Sequence, residues 1–235
     1  MSKIFYAFII TIIVAFFTLK TNAGQKILVF EIDTGTDGYS HKEIREHINL
    51  NNEDPLNYFD GNGHGTHIAG LLLKGVCSEV KLKSCSWFKL NANGDWNEYL
   101  NCVRIAGSLK PDFINISSSG SNYDAEEFQI LKELSDGGTK IIVASGNNGK
   151  DLSKEMKVYP ANYDIKNLIV VGNIEDNGQR SLTSNFGLSN EVYEKGVKVY
   201  STLPGNKWGY MTGSSQSTAR HTNKLLLEKC QQLKK

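Results

Sequence analysis

Short apolar runs alternate with polar, glycine-rich stretches along most of this chain. The run "KILVFEID" at 26–33 is aliphatic and ends in a carboxylate, which predicts a buried strand. Similar runs bounded by turn residues predict strands at 79–90, 112–118, 139–145, 166–174 and 196–202. Helical spacing appears between them at 64–73, 96–108 and 124–138, and again from 215 to 232. "DAEEFQILKELSDGG" is the clearest helix: Asp124 can cap it with Glu127 three residues on, and Gly137 and Gly138 stop it. Residues 40–60 read as polar loop with at most a short helix, and "NANGD" as a turn. Strands alternating with helices imply an α/β fold with a mostly parallel sheet covered by helices on both faces. Such sheets gather chemistry at the carboxyl ends of their strands, where Asp33, Ser117 and Asn147 fall.

The N-terminus breaks this rhythm. Lys3 precedes an apolar stretch at 4–19, and "TNA" offers small residues for cleavage after Ala23. Residues 1–23 therefore read as a secretory signal peptide. The stretch is slightly short for a membrane span, and anchoring by an uncleaved N-terminal segment is the alternative. Cleavage leaves residues 24–235 as a single domain, secreted or periplasmic, with no stable membrane insertion. Twenty-six Lys and Arg against 25 Asp and Glu give no reason to expect nucleic acid or an anionic membrane as partner. Cys77, Cys85, Cys102 and Cys230 predict disulfides in an exported chain, with buried thiols as the plainer alternative. Three full connectivities are possible, and spacing does not choose among them. The spacing matches no zinc motif.

Two stretches carry the candidate chemistry. "DGNGHGTHIAG" at 60–70 puts Gly61, Gly63 and Gly65 where a tight turn feeds an apolar helix, and His64 at that junction. Glycine inside a helix costs about 1 kcal/mol relative to alanine, so a purely structural helix would avoid it. "GYMTGSSQSTARHTNKLLLEKC" at 209–230 repeats the arrangement, with Gly213 ahead of a helix beginning near Ser215. A serine at a helix start lies in the positive end of the macrodipole but needs a base to act as nucleophile. Taken alone, "TGSSQS" reads as an ordinary N-cap. Taken with Asp33 and His64, it completes the chain order Asp, His, Ser, one of the known orders of a catalytic triad.

These motifs resemble those of the subtilisin-type serine endopeptidases, the subtilase family of peptidase S8 type. "DTG" at Asp33 matches the family's aspartate motif, "HGTHIAG" at His64 its histidine motif, and "GSSQS" at Ser215 its serine motif with Ser214 for threonine. "SGNNG" resembles the family's oxyanion loop and points to Asn147; "DFINISSSG", "YPANYDIKNLIVVG", "RSLTSNFG" and "STLPGNKWGYMTGSS" extend the likeness from about Ile27 to His221. The resemblance implies a subtilisin-like three-layer sandwich and hydrolysis of polypeptide substrates. It gives Asp33, His64 and Ser215 catalytic roles and makes Asn147 the oxyanion donor. It implies that Ser117, Ser118 and Ser119 form one wall of the substrate cleft and Ala144, Ser145 and Gly146 the other. These walls are small enough to admit a sizeable apolar side chain. Trp96 and Tyr99 suit either a more distant subsite or core packing. His67 suits helix packing. A zinc pair of His64 and His67 lacks the glutamate of the H-E-x-x-H motif.

The chain also departs from the family pattern. The first strand follows the signal almost at once, without an evident pro-segment, so folding would need no helper or would use a separate folding chaperone or inhibitor as partner. The insertion that often holds calcium after the histidine helix is missing, and no Asp-rich calcium pattern stands elsewhere. No cofactor is expected, with a weak calcium site left open. Ala219 in "STARH" replaces a family proline and can carry the helix onward. The chain ends at Lys235, before the family's last elements. Glu31 shares strand parity with Asp33, where an aliphatic residue is usual, and a buried second carboxylate needs a partner or a raised pKa. An exported active endopeptidase is the first expectation. A catalytically inactive subtilase-like protein that binds peptides or regulates is the alternative.

Overall fold

Strong aliphatic runs became strands wherever both of their faces could be buried. In the computed structural model, which describes residues 26–38, 40–45, 47, 60–88 and 94–234, they assemble one parallel sheet. Its strands are β1 (Ile27–Asp33), β2 (Val80–Ser86), β3 (Phe113–Ile116), β4 (Lys140–Ala144), β5 (Leu168–Ile174) and β6 (Glu191–Lys195). They lie in the order β2-β1-β3-β4-β5-β6, and every neighbouring pair is parallel. Between or after them come α1 (Lys42–Arg45), α2 (His64–Leu72), α3 (Trp96–Leu109), α4 (Ala125–Asp136) and α5 (Ser214–Leu233). The expected signal segment 1–23 and most of the "NANGD" turn lie outside the described residues. Among the described residues no helix is long and apolar enough to cross a membrane.

The strands alternate their side chains between two cores. Ile27 and Val29 of β1 face α2 and α5, packing with Ile68, Leu72, Ala219 and Leu226. Phe30 and Ile32 face α3 and α4, packing with Val103, Ala106, Leu131 and Leu134. The result is the expected three-layer sandwich with helices on both faces.

Two local expectations change. Asp124 does cap α4, its Oδ1 accepting from the backbone N–H groups of Glu126 and Glu127 at 2.9 Å each. Glu127, however, is fully buried and does not close a capping box. Its carboxylate accepts from the hydroxyls of Tyr99 (2.5 Å) and Tyr163 (2.6 Å), tying α4 to α3 and to the loop before β5. Burial pushes this carboxyl up, and the two tyrosine bonds pull it back. The last expected strand, 196–202, does not join the sheet. Residues Val199–Leu203 (β7) instead pair antiparallel with Lys207–Met211 (β8), across a turn where Asn206 (φ 59°) and Gly205 (φ 72°) are left-handed. The sixth sheet position goes to β6, whose charged and half-exposed sequence "EVYEK" lacks the aliphatic signature of an edge shielded on both faces.

The four cysteines form Cys77–Cys230 and Cys85–Cys102, one of the three connectivities left open by the sequence. The first joins the segment after α2 to the C-terminal part of α5, and the second joins β2 to α3. They close loops of very different length, with sequence separations of 153 and 17. In the chain-entropy treatment the longer loop restricts the unfolded state more. Replacing Cys77 and Cys230 together by serine should therefore cost about 2 kcal/mol more than replacing Cys85 and Cys102 together. Urea denaturation of both double variants measures the difference, and equal losses contradict it.

Candidate active site

Asp33 is the last residue of β1, and His64 is the first of α2. The turn after β1 and the loop before α2 are clasped together by hydrogen bonds. Gly65 N–H donates to Thr34 Oγ1 (2.8 Å), and Asp37 N–H donates to Thr66 Oγ1 (2.9 Å). A Cβ on Gly65 would collide with the Gly35 carbonyl, so only glycine permits this approach. Gly63 serves as N-cap of α2 at φ 93°, a left-handed conformation that glycine adopts without strain. Gly61 meets no neighbour and carries no such requirement.

Asp60 binds both sides of the clasp. It is buried, and its two oxygens accept from Thr34 Oγ1, Asn62 N, Gly63 N, Thr66 N and Thr66 Oγ1 at 2.7–3.1 Å. Sequence reasoning missed this residue, although an aspartate just before a glycine-rich helix start signals local capping of this kind.

The clasp sets His64 Nδ1 2.7 Å from Asp33 Oδ1. Asp33 is almost fully buried, and the imidazole keeps 27% of its surface. Burial works to lower the affinity of His64 for its proton, but the charge of Asp33 and the hydrogen bond to it outweigh burial, and the imidazole sits above its ordinary value of 6.5. Nδ1 is occupied, so Nε2 remains as the basic atom. His67 plays a structural part. Its Nε2 is 3.0 Å from the Val199 carbonyl and 3.3 Å from that of Gly209, pinning α2 to the β7–β8 hairpin.

Ser215 lies in the first turn of α5, 9% exposed, and its hydroxyl donates to the Ser117 carbonyl (2.9 Å) rather than to His64. Ser117 Oγ returns a bond to the Ser215 carbonyl (3.2 Å). Ser117 and Ser118 also line a cavity of about 270 Å³ together with Asp33, Thr34, Asn62, His64, Trp87 and Phe88. Ser215 is thus bonded to the backbone of Ser117, a residue that lines the cavity with Asp33 and His64. Catalytic hydrogen bonds commonly tighten only when substrate binds.

Asn147 stands just beyond β4, exposed, after Gly146 at φ 90°. Its Oδ1 accepts from Ser214 N–H (2.9 Å), which caps α5 where the N-cap Gly213 has no side chain to do so. That bond leaves the amide Nδ2 as the group free to donate. Asn185 builds the loop: its Oδ1 accepts from Asn148 and Lys150 N–H (3.0 Å each) and its Nδ2 donates to the Ser145 carbonyl (2.8 Å). Asn185 sits in the "RSLTSNFG" stretch, but nothing in its sequence spacing assigns it this partner.

The two expected cleft walls meet at their tips: a Cβ on Gly146 would lie 3.7 Å from Ser119 Oγ. Ser119 is exposed and Ser118 half-buried, while Ser117, Ala144, Ser145 and Gly146 are buried. Trp87 and Phe88 line the cavity beside His64 and were not anticipated. Tyr99 is 3% exposed and hydrogen-bonded to Glu127, which makes it a core residue, and Trp96 stacks on it. The connection from α2 to β2 carries Glu79 as its one carboxylate. Among the described residues no three His, Cys, Asp or Glu side chains converge on a point.

The sequence profile of the subtilase family matches residues 24–229, and the chain belongs to that family. It is 30% identical to Subtilisin DY of Bacillus licheniformis over 83% of this chain and 73% of that protein. It is 29% identical to Subtilisin E of Bacillus subtilis (strain 168), over 83% of this chain and 53% of that protein. The chain spans only about half the length of several curated relatives, including the thermophilic serine proteinase of Bacillus sp. (strain AK1), of which it covers 50%. Its fold is also that of a serine-to-alanine mutant of the protease domain of PatA, with a TM-score of 0.75 at 18% identity, over 88% of this chain and 80% of that one.

Asp60 tests how far the clasp supports the site. Asp60→Ala leaves buried donors of two loops without an acceptor and should cost at least about 3 kcal/mol. A melting curve decides it, and a loss within about 0.5 kcal/mol would show that the loops hold without it.

Proposed function

We propose that this protein is an exported serine endopeptidase that hydrolyses peptide bonds with Asp33, His64 and Ser215. The single observation that carries this reading is the 2.7 Å bond from the buried Asp33 to His64 Nδ1, at a cavity shared with the backbone that holds Ser215. Ser215 Oγ attacks the scissile carbonyl and gives its proton to His64 Nε2. Asp33 orients the ring and stabilises the imidazolium, which then protonates the leaving amine. Water repeats the sequence to release the acyl group. The oxyanion lies between Asn147 Nδ2 and the Ser215 backbone N–H at the positive end of α5.

The substrate is a polypeptide bound between Ser117–Ser119 and Ala144–Gly146, where a peptide in extended form can add to exposed backbone. The facing of Gly146 and Ser119 supports a cleft there. Export rests on the signal pattern of residues 1–23 and on two disulfides, which persist in oxidising compartments. The intact set of Asp33, His64, Asn147 and Ser215 favours this reading over that of an inactive peptide-binding relative.

A fluorophosphonate probe tests the nucleophile. Ser215→Ala should abolish labelling and peptide hydrolysis. Ser217→Ala should keep labelling, because Ser217 is fully buried and its hydroxyl bonds the Glu194 carbonyl of β6, whereas Ser215 keeps some exposure and bonds the backbone of the cavity residue Ser117. Labelling that survives in Ser215→Ala and vanishes in Ser217→Ala would reverse the assignment.

Two substitutions separate the two roles of Asn147. Asn147→Leu removes both acceptor and donor, and should lower kcat by about a hundredfold to a thousandfold with little change in KM. It should also cost about 1 kcal/mol through the lost cap of α5. Asn147→Asp keeps the acceptor for Ser214 N–H and loses the donor, so it should lower kcat as much while melting within about 0.5 kcal/mol of the parent. Steady-state kinetics and melting curves check both; an Asp variant with parental kcat rules out the oxyanion role.

A further inference from the structure

The sheet face beneath α2 and α5 is aliphatic except for a short polar row. Glu31 and Asp33 lie two residues apart on β1 and so share that face. Glu31 pairs in register with Ser84 of β2 on one side and with Asn115 of β3 on the other, and all three are fully buried. Ile27, Val29, Ile68 and Leu82 surround the row. Neither carboxyl oxygen of Glu31 has a hydrogen-bond partner among the described residues. Asp33 is half satisfied: its Oδ1 accepts from Thr34 N–H (2.8 Å) and from His64, while its Oδ2, like the Glu31 oxygens, is buried without a partner among the described residues.

Among the described residues no cation balances Glu31. The charges that act on it are Asp33 on its own strand and Asp60 before α2, both acidic. α2 brings two histidines, His64 bonded to Asp33 and His67 bonded to backbone carbonyls. The buried residues of α5 are all uncharged, and so are Ser84 and Asn115 on the flanking strands. Burial therefore pushes the Glu31 carboxyl well above the ordinary range; the charge of Asp33 adds to this, the Ser84 hydroxyl opposes it, and Asp60 adds a little more.

We propose that Glu31 and Asp33 form a one-proton pair behind the site, with the proton on Glu31 and the negative charge on Asp33, so that Glu31 is a positioning residue keeping Asp33 on His64. This inference rests on the triad reading above. Two carboxyl groups sharing one dry site do not both ionise until the pH is high. Loss of the second proton to solvent leaves two anions on one strand face without a counter-charge. Their repulsion is relieved by swinging the Asp33 side chain away from Glu31 at the end of β1, which disengages Asp33 from His64. The disturbance also reaches the nucleophile. Asn115, beside Glu31, accepts from Thr222 Oγ1 (2.9 Å) and donates to Ser117 Oγ (3.0 Å), which in turn bonds the Ser215 carbonyl.

The sign of the stability effect follows from linkage. A carboxyl whose proton is held more tightly in the folded state stabilises the fold fully below the ordinary carboxylate range, and that contribution is lost as pH rises toward the folded-state value. Glu31→Gln, which mimics the protonated form at every pH, isolates it.

The closing experiment compares the parent with Glu31→Gln, using Glu31→Val if the glutamine variant does not fold. Difference infrared spectroscopy at neutral pH should show the carbonyl stretch of a protonated carboxylic acid in the parent alone. Melting temperatures should coincide near pH 4 and diverge as pH rises, the variant melting at least about 2 °C higher by pH 8. In kcat/KM against pH, each profile scaled to its own maximum, the parent should show an alkaline limb approaching about tenfold per pH unit that the variant lacks. Absence of the infrared band, or a melting difference independent of pH, overturns the one-proton pair. Superimposable pH profiles overturn the positioning role. The infrared and melting measurements can be made in a Ser215→Ala background, so they report on the pair even if the triad reading fails.

Discussion

The site exists because the first turn of α2 touches the turn that follows β1. That approach brings an imidazole at the start of a helix to a carboxylate at the end of a strand. It requires a residue without Cβ at Gly65, since the carbonyl of Gly35 occupies that space. It also requires that the backbone donors crowded at the contact find acceptors in a place water does not reach. Asp60 supplies most of them. The loops thus gain rigidity from a single buried carboxylate rather than from an apolar core of their own, and a pre-ordered pair such as Asp33 and His64 depends on support of this kind.

The start of α5 follows the same rule. Its first residues are polar yet buried, and their hydroxyls are bonded: Ser214 Oγ accepts from Gly146 N–H (3.1 Å), Ser217 donates to Glu194, and Thr218 donates back to the Ser214 carbonyl (2.7 Å). Among them the Ser215 hydroxyl is bonded to the backbone carbonyl of Ser117, a residue that lines the cavity with His64. A fully satisfied polar network of this sort holds a helix end in one place.

The sheet, its two helical layers and the cluster at the carboxyl ends were legible because aliphatic runs and glycine punctuation report directly on burial and turning. The hairpin of β7 and β8 was not: "VYSTL" is aliphatic enough to pass for a central strand, and only the left-handed turn at Gly205 and Asn206 folds it back on itself. β6 was missed for the opposite reason, since a charged edge strand carries no burial pattern. Asp33, His64 and Ser215 stood out through long motifs. Asp60 bonds mainly to the nearby Asn62, Gly63 and Thr66, and its signal lay in the helix-start pattern itself. Asn185, Trp87 and Phe88 did not stand out, because their importance lies in partners distant along the chain, and spacing encodes only near neighbours. The position of Glu127 in the core rather than in its own helix cap is of the same kind: hydroxyls of two tyrosines from elsewhere prevail over a local hydrogen bond.

The proposed base and nucleophile are carried by α2 and α5, and these helices are also fastened to each other near their far ends. The Cys77–Cys230 bridge lies beyond the last turn of α2 and near the end of α5, reinforced by Asn223 Nδ2, which donates to the carbonyls of Leu72 (2.8 Å) and Lys74 (3.0 Å). α5 is 20 residues long, so a helix of this length is about 30 Å from end to end and the bridge lies most of that distance from Ser215. The two helices work like the blades of tongs, with the rivet at one end and the grip at the other. Between rivet and grip the blades are also glued along their length by Ile68, Ala69, Leu72, Ala219 and Leu226, so the bridge closes the far end of a joint that packing already holds.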